Sequence, residues 1–306
     1  MFYKITINSW KDVLSLFDKI TNEVSDWAFR GQSDKSWKLS TKFERDATKY
    51  KCDDPYWFYN REHFILNDFQ RRAHHYIENL PKSENTIEWL SLLQHYGGPT
   101  RLLDFTYSLY IALFFATETS ETDSAIWAVN INRLFRHLSK SNDYKLLEHG
   151  DTYEIICEKN IKYAETVIYK RNKDNVVFLI DPFKQHERIS VQQGLFLFPG
   201  NISKSFEFNL SSVFELGFDK LSDKNAIDIN ISKINRFNPL EILDISVIKI
   251  IIPFSLHSEV LVELYKMNIT AASLFPGLDG FARSLSFRFR QLHYFLNRKK
   301  NSGSNK

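Results

Sequence analysis

Only two cysteines occur in the chain, Cys52 and Cys157, far apart and without a CxxC partner. That excludes a disulfide framework and a cysteine-rich metal site, and it predicts a protein suited to the reducing cytoplasm. Glycine (10) and proline (8) are scarce in 306 residues, which argues against a low-complexity or fibrous chain. Long hydrophobic runs are missing too. The most apolar stretches, residues 111–116 and 247–254 (the latter broken by Lys249), fall short of the roughly 18 residues that a membrane helix requires. The opening MFYKITINSW has no cationic segment followed by an apolar one, so no secretory signal is expected.

Charge of one sign is lacking as well: 40 Lys and Arg stand against 37 Asp and Glu. The balance permits nucleic acid as a partner without demanding it. HExxH, GxSxG, Walker and GxGxxG patterns are absent from the sequence. Support for a zincin, an α/β-hydrolase, a P-loop enzyme or a dinucleotide fold falls away with them. His74 and His75 are adjacent and lack the i, i+4 spacing of a zinc helix. No metal is expected.

What the chain does have is aromatic mass: 26 Phe and 14 Tyr within a hydrophobic content of 43%. This predicts a packed core of helices and strands. Residues 2–7 alternate like a strand, and Trp10, Val13, Leu14, Phe17 and Ile20 follow at helical spacing behind the good caps Asn8 and Ser9. Residues 27–30 read as a strand leading into a polar turn at 31–35, and residues 56–77 as a helix. Asn85 with Glu88 three residues on predicts a capping box for a helix that stops at Gly97-Gly98. The segment 108–117 is apolar on every side and predicts a buried helix.

Residues 125–131, 176–180, 195–198 and 247–252 carry strand composition, and 255–267 suits a helix. The last predicted helix carries Leu278, Phe281, Ala282, Leu285, Phe289 and Leu292 on one face. No repeat or linker divides the chain. The expectation is one α+β domain over residues 1–298, a mixed or antiparallel sheet flanked by helices, with a polar tail at 299–306.

Three segments concentrate groups that can do chemistry. Arg30, at a strand end before Gly31, can aim its planar fork at a phosphate or carboxylate while the glycine lets a ligand approach the backbone; it can equally stand in an ion pair. The block from His95 to Thr106 places His95, Arg101 and Asp104 close together in sequence. There His95 and Asp104 can transfer protons or orient a ligand, and Arg101 can bind an anion. The alternative has Arg101 paired to Asp104, with Thr106 or Ser108 capping the apolar helix. In the third segment, residues 187–196, Gln192 and Gln193 precede Gly194 and can present amides to a polar ligand, or be solvated at a turn. A fourth run, from Arg283 to Lys300, interleaves Arg and Lys with Phe and Tyr. It can pair with nucleic acid or form the solvated face of a terminal helix.

Taken in order, several blocks resemble the FRG-domain family: Phe29-Arg30-Gly31, Leu93 through Thr106, Ala125-Ile126-Trp127, Arg188 to Phe196, Ile251-Ile252-Pro253 and Leu274 to Gly280. Phe105 stands where the family often has Trp. The order is also similar, more distantly, to the ADP-ribosyltransferase superfamily. That resemblance implies an ADP-ribosyltransferase-like fold. It also implies NAD as substrate, with Arg30 and Gly31 at its phosphate or ribose and Thr106 bracing the nicotinamide side. The carboxylate of the third motif falls near Gln193, where this chain offers an amide; a carboxylate there would stabilise positive charge developing on the ribose.

Two function classes follow. One is an NAD-using transferase or glycohydrolase acting as a bacterial toxin or phage-defence effector. In it Arg30, His95, Asp104 and Gln193 act in catalysis, while Arg30, Gly31, Arg101, Thr106 and Gln192 hold the nucleotide. The other is a non-catalytic sensor of a nucleotide, a nucleic acid or a phage component.

Overall fold

Strict two-residue alternation in β1 (Phe2–Thr6), β2 (Trp27–Gln32), β4 (Ser124–Asn130) and β8 (Val247–Ile252) sorts their side chains into two cores, one on each face of a sheet. Tyr3, Ile5, Trp27, Phe29, Ile126, Ala128, Ile248 and Ile250 enter one core; Phe2, Ala28, Trp127, Val129 and Val247 enter the other. The structure, a computed structural model, describes residues 1–21, 26–51, 54–140, 151–171, 174–182, 186–216 and 221–289.

The remaining strands are β3 (Leu103–Thr106), β5 (Val177–Ile180), β6 (Gly194–Pro199) and β7 (Ile227–Ile229). All eight form one sheet in the order β5-β6-β3-β2-β4-β8-β1-β7. β1 pairs parallel with β7 and β8, and every other pairing is antiparallel. This is the mixed sheet of an α+β fold, as the sequence predicts.

Helices cover both faces. In chain order they are α1 (Trp10–Ile20), α2 (Lys42–Lys49), α3 (Pro55–Arg72), α4 (Thr86–His95), α5 (Leu109–Thr117), α6 (Ile131–Lys140) and α7 (Tyr153–Lys170). There follow α8 (Glu187–Val191), α9 (Phe206–Val213), α10 (Ile231–Ile234), α11 (Pro239–Leu243), α12 (His257–Lys266), α13 (Ala271–Leu274) and α14 (Leu278–Ser284). α1, α5 and α12 pack in the core with Phe29; α4, α6, α7 and α9 close the other. β5 and β6 are apolar at nearly every position because helices and neighbouring strands bury both of their faces. Lys249 is the one charge within β8. It is buried and pairs with Asp223 at 2.6 Å, its ammonium 4.9 Å from the Trp127 ring centre.

Several local expectations hold and several are corrected. Ser108 caps α5, its Oγ accepting from the Ile111 N–H at 3.3 Å. Asn85 stands at the start of α4 but makes no capping bond through its side chain. The N–H of Ile87 instead donates to Glu165 of α7 at 3.5 Å, so a tertiary partner replaces the local box. The polar turn predicted at residue 31 begins later, because β2 continues to Gln32, whose Oε1 accepts from Trp127 Nε1 inside the core. Leu278, Phe281, Leu285 and Phe289 are exposed, and Leu292, the 299–306 tail and Cys52 lie outside the described residues. Among the described residues no helix is long and apolar enough to cross a membrane.

Candidate functional site

β2 and β3 share a single register contact, Phe29↔Thr106, whereas β2 pairs with β4 all the way from Trp27↔Asn130 to Gln32↔Ala125. Beyond that one contact the chain has Arg30 and Gly31 on one side and Phe105 and Asp104 on the other, and a cleft of about 340 Å³ opens there. Its walls come from four places. The end of α4 gives Gln94 and His95, α5 gives Phe115, the α8 region gives His186, Arg188 and Gln192, and β6 gives Phe196.

Arg30 is the residue most firmly built in. Its Nη1 donates to the main-chain oxygen of Asp104 at 2.7 Å and stands 3.7 Å from that residue's carboxylate. Its Nε is buried with no hydrogen-bond partner among the described residues. Burial lowers the guanidinium's pKa and Asp104 raises it again; an arginine so placed stays charged. The Asp104 carboxylate also accepts from Gln94 Nε2 at 2.7 Å, and its side chain is exposed.

The same cleft holds a pair of imidazoles. The rings of His95 and His186 lie 4.1 Å apart, centre to centre. Nδ1 of His95 and both ring nitrogens of His186 are buried without hydrogen-bond partners among the described residues. Burial lowers both pKa values. Arg188 lowers His95 further, and His95 with Arg188 pushes His186 down to about 4. Near neutral pH the pair is uncharged, and each neutral ring has one nitrogen able to accept a hydrogen bond.

Thr106 closes the cleft at the register contact. It is buried, its hydroxyl donating to the Gln192 main-chain oxygen at 2.8 Å and accepting from the Ser108 N–H at 3.1 Å. Gln192 Nε2 donates to the Leu274 oxygen at 2.8 Å, which ties the cleft wall to α13.

Two sequence-based assignments need correction. Arg101 does not reach the cleft. It is buried against Glu62 of α3 in a two-point pair, with Nη1 also donating to the Gly200 oxygen at 3.1 Å and the guanidinium 4.9 Å from the Phe198 ring centre. Its partner is therefore neither an incoming anion nor Asp104. Gln193 does not reach the cleft either. It takes a left-handed backbone (φ 46°) at the turn between α8 and β6, with its side chain exposed, while its neighbour Gln192 faces inward. Gly31 does line the cleft, and its missing side chain also makes room for α5. A Cβ there would stand 2.1 Å from the Ala112 oxygen and 2.7 Å from the Ala116 nitrogen.

The structure thus brings together Arg30, Gly31, His95, Asp104, Thr106 and Gln192, and leaves Arg101 and Gln193 apart. Sequence reasoning missed His186 and Arg188 as site residues. Arg188 sits within a segment flagged as polar, but nothing in spacing distinguishes a side chain facing a cleft from a solvated one at the start of a short helix. Among the described residues no cluster of His, Cys, Asp and Glu is arranged to hold a metal.

Residues 25–125 match the family model of the FRG domain. That third of the chain is similar to the FRG domain. The matched segment supplies β2, α4, β3 and α5 and with them Arg30, His95 and Asp104 of the cleft; His186, Arg188 and Gln192 come from the chain that follows it. No curated protein and no solved structure matches the chain.

Proposed function

We propose that the cleft binds a nucleotide, with NAD the first candidate. One observation carries the reading. The half-buried Arg30 guanidinium keeps a buried, unpartnered Nε and shares the cleft with three unpartnered imidazole nitrogens and with Arg188. Two guanidiniums against one carboxylate give the cleft a net positive charge suited to phosphate, which a guanidinium meets with paired donors. The imidazole pair with Phe115 and Phe196 offers flat surfaces for a base, and a volume near 340 Å³ lies in the range of small-molecule sites.

A second reading adds chemistry. Asp104 is the only carboxylate lining the cleft among the described residues. Cleavage of the nicotinamide–ribose bond would leave positive charge on the ribose, and Asp104 rather than Gln193 would meet it. A toxin or phage-defence role then means loss of NAD in the cell that produces the protein.

Calorimetric titration with NAD, ADP-ribose, ATP and pyrophosphate tests the first reading. Micromolar binding of at least one, lost in Arg30→Ala and weakened in the exposed Arg188→Ala variant, supports it. Absence of heat with all four overturns it. Incubation with NAD followed by mass spectrometry for nicotinamide and ADP-ribose separates binding from cleavage. Asp104→Asn should abolish release while retaining binding.

A further inference from the structure

Arg188 lines the cleft, but its guanidinium rests on a residue that does not: it stands 4.7 Å from the ring centre of Phe275. A second guanidinium, Arg283 of α14, lies 4.4 Å from the same ring centre. Two like charges on one ring repel, and Arg283 lowers the pKa of Arg188 as burial does, against the opposite pull of Asp104. The repulsion is held in check from the far side. Glu118, just beyond α5, grips Arg283 through two contacts, Nε to Oε1 at 2.7 Å and Nη2 to Oε2.

The segment bearing Phe275 is itself fixed. A Cβ at Gly280 would fall 1.8 Å from the Phe275 oxygen, so α14 closes against this residue as only glycine allows. Phe115 of the cleft meets the Phe275 ring edge-on at 6.0 Å, and Gln192 holds the Leu274 oxygen. These contacts give a role to the sequence block Leu274 to Gly280, which the cleft alone leaves without one.

We propose that Glu118 and Arg283, both outside the cleft, act as positioning residues that hold Arg188 at the cleft wall through the Phe275 ring. Glu118 neutralises Arg283, which lets two guanidiniums share one aromatic surface; the ring fixes where Arg188 presents its donors. The consequence for ligand binding rests on the anion-binding reading above. The placement of Arg188 does not.

The test reads Arg188 directly. Phenylglyoxal modifies accessible arginines, and the fraction modified at Arg188 in the full chain can be followed by mass spectrometry. Phe275→Leu removes the shared ring and should speed modification of Arg188 on the order of threefold, the scale of an exposed cation–π contact. Glu118→Gln, which frees the charge of Arg283, should do the same. In a Phe275→Leu background Glu118→Gln should add nothing. A simple through-space charge effect would persist in that background and weaken with salt, and that result overturns the proposal, as does an Arg188 rate unchanged by either variant. Arg283→Lys retains charge but loses the planar two-point grip, and should behave like Glu118→Gln.

Pyrophosphate titration of the same variants then separates the two ideas. Altered Arg188 reactivity without any anion binding leaves the coupling standing and removes the nucleotide reading. Anion binding with Arg188 indifferent to Glu118 and Phe275 does the reverse.

Discussion

Gly31 and Ala112 meet backbone to backbone, so close that a β-carbon on the glycine would lie 2.1 Å from the alanine carbonyl. That single approach divides the labour within Phe29-Arg30-Gly31. Phe29 is buried in the core beneath α5, Arg30 faces the cleft, and Gly31 lets α5 settle on β2. Replacing Gly31 by Ala should destabilise the fold by about 3 kcal/mol, since backbone atoms of a buried helix cannot step aside as a flexible side chain would. Urea denaturation followed by circular dichroism measures it; a change below about 1 kcal/mol would mean that α5 slides freely over the sheet.

Arg101 and Glu62 form a buried ion pair whose members depend on each other. Glu62→Ala should cost about 3–5 kcal/mol because it strands a buried guanidinium. The double change Arg101→Met with Glu62→Leu should recover most of that loss. Denaturant midpoints for the three proteins decide the matter, and a double variant as weak as the single one counts against a mainly electrostatic penalty.

His186 sets a pH dependence of known sign. Its pKa falls from 6.5 to about 4, through burial first and then through His95 and Arg188. Between those values the unfolded chain binds a proton that the folded one refuses, so stability should drop as pH falls from about 6.5 toward 4. His186→Asn should flatten that part of the profile. Thermal melts from pH 7 to pH 4.5 give the comparison.

Glu207 works in the opposite direction. Burial raises its carboxyl from 4.5 to about 7, against the Leu39 N–H, which donates to it at 2.9 Å. The folded protein therefore holds a proton that the unfolded chain releases above pH 4.5, and the associated stability is lost as pH rises through 7. Glu207→Gln keeps an acceptor for Leu39 without the charge. It should be more stable than the parent at pH 8, by about 1–2 kcal/mol, and indistinguishable at pH 4. Equal stability of the two proteins at pH 8 would refute the assignment.

Much of the scaffold can be read from one-dimensional pattern. The alternation of β1, the strand composition of β4 and β8 and the all-apolar run of α5 are local signals, and the structure follows them. Asn85 shows where such reading stops, because the carboxylate of Glu165, 78 residues beyond Ile87, takes the place of its side chain. The cleft divides in the same manner. His95, Asp104 and Thr106 stand out as dense polarity beside an apolar helix, and Arg30 as a strand-end guanidinium before Gly31. Arg101 looked equally apt, and only its contact with Glu62, from a helix before the block, reveals it as part of the core. Gln192 and Gln193 are consecutive amides, and a left-handed turn at Gln193 decides which one faces inward. No spacing rule carries that information, since it depends on how α8 hands the chain to β6.

The lone Phe29↔Thr106 contact has a mechanical consequence. In main-chain pairing, β5-β6-β3 and β2-β4-β8-β1-β7 are two slabs stitched at one point, beside which Arg30 throws a second thread to the Asp104 carbonyl. A molecule lodged between the slabs would sew them together along the seam, so its arrival should register as slowed hydrogen exchange in β3 and β2 as well as at the side chains that touch it.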